Sequence, residues 1–301
     1  MDLYEELCRI LGQENVYTEE PMSGHTTFRV GGPADFFVTP EGEDQVRGAV
    51  SAFRSAGVPF YIVGNGSNLL VGDRGYRGGI IQIFKKMNRI SVQGSLLHVQ
   101  AGALLSKIAA KAQSRGLTGF EFASGIPGTL GGAVMMNAGA YGGEMKQVLT
   151  GAKVLKASGE IEEVSVEAME LGYRSSIFSK NEDIILSANI KLEAGDPEQI
   201  QRHMDELKER RISKQPLEYP SAGSTFKRPE GYFAGKLIED AGLRGFQVGG
   251  AQVSQKHCGF VINKDHAAAR DILSLMEQVA DKVYGNSGVR LEPEVKMIGE
   301  F

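Results

Sequence analysis

No long apolar run interrupts this sequence. Its most hydrophobic stretches, such as VPFYIVG at residues 58–64, fall far short of the ~18 residues that signal a membrane span, so no segment is expected to cross a bilayer. Cysteine is scarce. Cys8 and Cys258 are too few and too far apart for a disulfide framework or a zinc site, and both read as packing residues in a reducing compartment; no metal is expected. Charge of one sign is also missing. The 33 basic and 37 acidic residues are spread along the chain for a net charge of -4, which argues against nucleic acid and against a membrane surface as partner. The first residues, MDLYEELCRILGQ, carry acidic side chains where a secretory leader would carry positive ones, and the expectation is a cytoplasmic protein. With no charge pattern pointing to nucleic acid or a membrane, small molecules are the expected partners; internal repeats and low-complexity segments are absent.

What the chain does have is length, core and glycine. With 301 residues, 42% of them hydrophobic, it can bury a sizeable core in two or three compact units. Its 39 glycines are about twice the usual ~7%. They crowd into a few loops flanked by β-branched and aromatic runs, the pattern expected where backbone approaches a ligand too closely for a Cβ.

Periodicity gives an α+β reading. Leu3, Leu7, Ile10 and Leu11 share one face of an N-terminal helix, and Val46, Ala49, Val50 and Phe53 one face of a helix at 43–56 that Gly57 stops. DFFVT, PFYIV and GIIQIF read as strands. RISVQ and LLHVQA form a hairpin around Gly94-Ser95, and AKVLKA and EIEEVSV another around Ser158-Gly159. A helix at 104–115 lies between them, and DIILSANIKLE is a long strand. Asp196-Pro197 supplies an N-cap and a first-turn proline for a charged helix to about Arg211. Later come a short helix near 235–241, the strand GFVIN and a helix at 266–284 with Ile272, Leu275, Met276, Val279 and Val283 on one face.

Two glycine-rich stretches are candidates for chemistry. In YIVGNGSNLLV a strand runs into a turn of Gly64, Asn65, Gly66, Ser67 and Asn68, whose consecutive small residues can aim several backbone N–H groups at one anion. A plain tight turn needs only one or two such residues, and spacing alone leaves both readings open. The stretch GIPGTLGGAVMMNAGAYGGE, residues 125–144, holds seven glycines among apolar Ile126, Leu130, Val134, Met135 and Met136. That mixture suggests a buried loop packed against a flat cofactor and its diphosphate, with tight inter-strand packing as the alternative. Neither stretch is a GxGxxG between strand and helix, and no Walker lysine follows either. A dinucleotide bound here would use something other than a Rossmann domain.

The blocks HTTFRVGGPADFFV, VGNGSNLLV, GIPGTLGGAVMMNAGAYGGE, YRSSIF, PSAGSTFKRP, CGFVIN and LEPEVKMIG together resemble the UDP-N-acetylenolpyruvoylglucosamine reductase (MurB) family, in the family's order over nearly the whole chain. The resemblance is to the shorter type II form, because the region after YRSSIF continues into strand and helix without an insertion. It implies an α+β fold of the FAD-binding PCMH/VAO type. Two α+β subdomains, 1–83 (joined by 288–301) and 84–195, would clamp FAD, and a C-terminal α+β domain at 196–287 would bind substrate. It also implies non-covalent FAD, NADPH as hydride donor, a UDP-sugar substrate and a monomer.

The resemblance assigns roles residue by residue. Ser224 matches the family's proton donor, and Arg174 and Glu294 the other two catalytic positions. Arg174 offers a fixed guanidinium fork to a carboxylate that takes up charge. Gly64, Asn65, Gly66, Ser67 and Asn68, with Gly125, Ile126, Pro127, Gly128 and Gly132, match FAD-binding positions, and Ala138, Gly139 and Ala140 line the same pocket. Tyr173, Lys227, Arg228 and His257 are substrate-side candidates. Arg228 stands where some members have asparagine, and a lone histidine such as His257 is more often a packing residue. Without the resemblance, Ser224 would be a turn serine and Arg174 and Glu294 surface ion pairs. A sugar or hydroxy-acid oxidase of the same FAD fold would share the glycine loops but need not share YRSS, AGST and LEPE together. A non-catalytic UDP-sugar or dinucleotide sensor is the alternative from a different class.

Overall fold

The computed structural model describes residues 2–301. The chain begins with helix α1 (Leu3–Leu11), which buries Leu7 and Leu11, as the spacing predicts; the Asp2 carboxylate caps it by accepting from the Glu5 amide at 2.8 Å. Strands β1 (Val16–Pro21) and β2 (Pro33–Val38) precede helix α2 (Glu43–Ser55). That helix buries Val46, Ala49, Val50 and Phe53 and ends at Gly57, whose φ is 64°. Strands β3 (Phe60–Val63), β4 (Leu69–Val71) and β5 (Tyr76–Gln82) follow, β3 pairing with β5 in parallel from Phe60 opposite Gly79 to Val63 opposite Gln82.

Next come β6 (Ile90–Gln93) and β7 (Leu96–Gln100), a hairpin around Gly94, then α3 (Leu105–Gln113), the short β8 (Leu117–Thr118) and helix α4 (Leu130–Met135). The two-residue strands β9 (Gly139–Ala140) and β10 (Gly143–Glu144) pair with each other. Strands β11 (Leu149–Leu155) and β12 (Ile161–Ser165) form the second expected hairpin, and β13 (Ile184–Lys191) is the long strand. These build a five-stranded antiparallel sheet in the order β12-β11-β13-β7-β6. The short β14 (Glu193–Ala194) pairs with β8.

Helix α5 (Pro197–Lys214) starts where Asp196 accepts from the Glu198 amide at 2.8 Å, and it runs one turn beyond the expected end. After it come α6 (Ala234–Asp240), β15 (Gln247–Val248), β16 (Ala251–Val253), β17 (Val261–Asn263), α7 (Ala269–Ser287) and β18 (Lys296–Ile298). Strands β15, β16 and β17 form an antiparallel sheet. The last strand, β18, lies parallel to β4, from Lys296 opposite Leu69 to Ile298 opposite Val71.

Helix α7 begins and ends three residues later than its pattern suggests. His266 is left-handed, with φ 47°, so the helix cannot start there; Gly288, with φ 71°, closes it. Its first amides are capped from a distant loop: Asp73 Oδ1 accepts from Ala269 N at 2.7 Å and Oδ2 from Arg270 N at 2.9 Å.

By contacts the chain divides into two compact units. One comprises Met1–Tyr17, Phe37–Asn65 and Gly79–Arg211; the other comprises Thr18–Phe36, Gly66–Gly78 and Ile212–Phe301. The first unit centres on the five-stranded sheet, with Leu97, Val99, Val154, Leu186 and Ile190 buried in it. The second has its own core, in which the apolar face of α7 packs with Phe28, Leu70, Ile238, Val253 and Val261. Among the described residues, no helix is long and apolar enough to cross a membrane.

Candidate active site

The long glycine-rich stretch, expected from its composition to be a loop, contains a helix at Leu130–Met135. Thr129 opens helix α4, whose Leu130, Ala133 and Val134 are buried, while Gly125, Pro127 and Gly132 are exposed and Ile126 and Gly128 half-buried. Two adjacent glycines disfavour helix by about 1 kcal/mol each relative to alanine, and burial of the apolar side offsets that cost. The stretch is therefore two-sided, with apolar side chains inward and bare backbone outward. Ala138, Gly139 and Ala140 follow, half-buried, at the start of the β9–β10 hairpin.

Gly64 and Asn65 of the short stretch share the first unit with the long one, and Gly66, Ser67 and Asn68 belong to the second. A Cβ placed on Gly64 would collide with Thr129 Oγ1, so a side chain there would push them apart. Gly66 is buried, has φ 66°, and its Cβ position is filled by the carbonyl oxygen of His25. At both positions glycine is thus demanded by the protein's own packing. Gly132 is different: the nearest atom to its Cβ position is Thr129 Oγ1 at 3.8 Å, which leaves its outer face accessible.

Backbone donors are plentiful on both stretches. Among the described residues, no protein acceptor takes the amide N–H of Gly64, Asn65, Gly66 or Ser67, nor that of Gly125, Gly128, Thr129 or Gly132. Runs of amides without a protein partner are what a diphosphate would satisfy, so each stretch by itself fits a dinucleotide such as FAD. Asn68 is occupied differently. Its Nδ2 donates to the Glu294 carbonyl at 3.1 Å, and its own carbonyl accepts from Lys296 N at 3.0 Å.

In the second unit Ser224 and Glu294 are brought together by the backbone of Thr225. Thr225 N donates to Gly259 O at 2.9 Å, its Oγ1 accepts from Val261 N at 2.9 Å, and its carbonyl accepts from Glu294 N at 2.8 Å. Ser224 itself is exposed, placed there by Gly223 with φ 75°, and Glu294 is half-buried. Lys227 pairs with Glu292 at 3.1 Å on the surface. Arg228 donates from Nε to Tyr232 O at 3.2 Å, with its guanidinium 4.0 Å from the centroid of the Phe233 ring.

His257 is a packing residue in its visible contacts. Its Nδ1 accepts from Gly259 N at 3.1 Å, and its ring lies edge-on to Phe260 at 5.0 Å. Burial holds its pKa below the ordinary value, and the positive charges of Arg244 and Lys214 press the same way, so the imidazole is neutral at pH 7.

Arg174 belongs to the first unit. It occupies the third position of the turn Gly172–Ser175 with φ 50°, where glycine or asparagine is usual, and its guanidinium lies 5.2 Å from the centroid of the exposed Tyr173 ring. A strained arginine is the sort of outlier that motivates a functional reading. Two further residues went unnoticed in the sequence. Arg211, whose pKa burial lowers, reaches Gly125 and has its guanidinium 5.9 Å from the Tyr141 ring centroid. Asn137, the second, is taken up below.

The fold and the glycine stretches define a flavin-binding α+β protein. Residues 34–165 match the FAD binding domain family, and the crystal structure of Phl p 4, a grass pollen allergen with glucose dehydrogenase activity, shares the fold over 65% of this chain and 45% of its own at a TM-score of 0.50 and 16% identity. Residues 215–298 match the C-terminal domain of UDP-N-acetylenolpyruvoylglucosamine reductase. The reductase of that name from Clostridioides difficile (strain 630) is 51% identical over 99% of this chain and 98% of its own. A crystal structure of the MurB reductase from Thermus caldophilus superposes with a TM-score of 0.81 at 34% identity, covering 92% of this chain and 97% of that one. The chain belongs to the UDP-N-acetylenolpyruvoylglucosamine reductase family.

Proposed function

We propose that this chain reduces the enolpyruvyl ether of UDP-N-acetylenolpyruvoylglucosamine to the lactyl ether of UDP-N-acetylmuramate, with NADPH as the reductant, in the synthesis of peptidoglycan precursors. The observation that carries the reading is half-identity to a reductase of that name along 99% of the chain. Bound without a covalent link, FAD would supply hydride chemistry between NADPH and the methylene carbon of the substrate.

The chain's own residues then have three tasks. Hydride addition leaves negative charge on the neighbouring carbon and its carboxylate, and that charge must be stabilised and then protonated. Arg174 offers the carboxylate a planar, permanently charged fork. Ser224 donates the proton to carbon; its hydroxyl is a weak acid, strong enough only for the enolate. Glu294, tied through Thr225 to the same backbone, supports that transfer as a second proton-bearing group. The amides of residues 64–67 and of Gly125, Gly128, Thr129 and Gly132 would hold the diphosphate of FAD, and Asn68, Ile126, Pro127, Ala138, Gly139 and Ala140 would contribute to the same binding.

Tyr173, Lys227, Arg228 and His257 are assigned to the substrate side. Lys227 would exchange its surface partner Glu292 for the sugar nucleotide's diphosphate. The three-domain reading, 1–83 with 288–301, 84–195 and 196–287, a cytoplasmic location and a monomeric state are parts of the same proposal. The test is an anaerobic absorbance titration of the purified protein. Flavin bands that bleach with NADPH and return with the enolpyruvyl UDP-sugar support it; a colourless protein that takes up no FAD refutes it.

A further inference from the structure

One buried side chain ties the glycine-rich stretch to the turn that carries Arg174, and the chemistry above makes no use of it. Asn137 follows α4, has φ 42° and is 2% exposed. Its Oδ1 accepts from Lys146 N at 2.9 Å, and its Nδ2 donates to Glu144 Oε2 at 3.0 Å and to the Gly172 carbonyl at 3.2 Å. The amide's orientation is unambiguous, because a backbone N–H demands the oxygen and a carboxylate demands the nitrogen.

Gly172 is the first residue of the tight turn. Its carbonyl also accepts from Ser175 N at 3.3 Å, and its own N–H donates to Ser175 O at 3.0 Å, with Tyr173 and Arg174 at the tip between them. Just beyond, the fully buried Ser176 donates from Oγ to Met135 O at 2.7 Å. The turn therefore hangs at two points from the C-terminal end of α4. No atom lies within 4 Å of the Cβ position of Gly172, and Tyr173 is 58% exposed. A residue at positive φ is maintained only when its surroundings over-determine it, and the Asn137 bond is part of that restraint on Arg174.

We propose that Asn137 is a positioning residue for Arg174, fixing the Gly172–Ser175 turn against α4 so that the guanidinium meets the substrate carboxylate in one orientation. The proposal rests on the reading of Arg174 given above. It acts through a single donor, so the informative variant is Asn137→Asp. That substitution tolerates the left-handed backbone and keeps an acceptor for Lys146 N, but an ionised carboxylate has no proton for Gly172 O.

Stopped-flow kinetics of the FAD-loaded Asn137→Asp variant, with Arg174→Lys beside it, tests this. At pH 8, reoxidation of the flavin by the enolpyruvyl UDP-sugar is expected to slow about 10- to 100-fold, the scale of a misplaced catalytic group, while reduction by NADPH changes far less. The new carboxyl stands where Nδ2 faced Glu144 Oε2, and a carboxylate neighbour favours its protonated form; as pH falls it takes up a proton and regains a donor, so the ratio of variant to parent reoxidation rates rises towards acid. In the flavin-free variant, amide exchange at Ser175 is faster than in the parent.

If Arg174→Lys is slow while Asn137→Asp matches the parent at every pH, the proposal is overturned and the reading of Arg174 stands. If Arg174→Lys is as fast as the parent, that reading fails and takes the proposal with it. Equal loss of both half-reactions with release of flavin makes Asn137 merely structural and overturns the proposal too. Should Asn137→Asp not fold, Asn137→Gly, which also accepts positive φ, is read by the same split between half-reactions.

Discussion

Ser224→Ala should separate chemistry from stability more cleanly than any other single change in this chain. Ser224 is exposed, and among the described residues its hydroxyl makes no hydrogen bond. The local backbone is held by its neighbours: Gly223 supplies the positive φ, and Thr225 makes the bonds to Gly259, Val261 and Glu294. Loss of one exposed oxygen should therefore leave the unfolding free energy within about 0.5 kcal/mol of the parent. Removing a positioned proton donor, by contrast, costs about 10²- to 10⁴-fold in the step it serves, or roughly 3–5 kcal/mol of transition-state stabilisation. In an anaerobic stopped-flow experiment NADPH should bleach the flavin of the variant at the parent's rate, and reoxidation by the enolpyruvyl UDP-sugar should be slowed by that factor. Reoxidation at the parent's rate would remove Ser224 from the mechanism. A drop in Tm that tracks the loss of activity would show instead that the hydroxyl supports the fold.

Three further changes probe the scaffold. Asp73→Ala leaves the first two amides of α7 without their charged acceptor and should lower stability by about 2–3 kcal/mol, measured by denaturant titration; a change below about 0.5 kcal/mol would mean the cap is dispensable. Gly66→Ala drives a Cβ into the His25 carbonyl at a left-handed residue, so a loss of about 1–3 kcal/mol accompanied by weaker FAD retention on gel filtration is expected, and a fully loaded, equally stable variant would contradict it. For His257 the folded-state pKa lies below the unfolded one, so its contribution to stability is present above about pH 6.5 and is lost as pH falls through the folded value. The parent's unfolding free energy should accordingly fall more steeply from pH 7 to 5 than that of His257→Gln, and parallel curves would argue against the depressed pKa.

The parts of this fold that were legible in the sequence are those decided within a few residues. The apolar face of α7 shows because Ile272, Leu275, Met276, Val279 and Val283 recur at helical spacing, and all five are at most 2% exposed. The hairpins at Gly94 and Gly159 show because both glycines take the positive φ that only a few residues accept, 57° and 91°. Helix ends were less readable. His266 and the two residues after it carry no breaker, and the remote Asp73 joins the local Asp271 in capping the start of α7. Helix α4 was hidden for a related reason: Gly131 and Gly132 argue against helix locally, and only the burial of Leu130, Ala133 and Val134 overrules them.

The same distinction runs through the site. A family's motif identifies the residues that touch ligand, because chemistry constrains their type; it is silent about how each is held in place, because many arrangements could do that. Arg174, Ser224 and Glu294 become candidates through YRSS, AGST and LEPE. That Glu294 is bonded to Thr225, 69 residues earlier, and that Asn137 is bonded to Gly172, 35 residues later, could not be read from those motifs. Both bonds join a backbone group to a segment distant in sequence, and neither leaves a periodicity or a spacing to read. Arg174 is the partial exception. An arginine directly after Gly172-Tyr173 in a four-residue turn occupies a position that favours glycine, a local conflict visible once the turn is recognised. Such conflicts persist where function requires the side chain, and the restraint they need comes from elsewhere in the fold. At this turn the sequence names the strained residue and the structure supplies the side chain that restrains it.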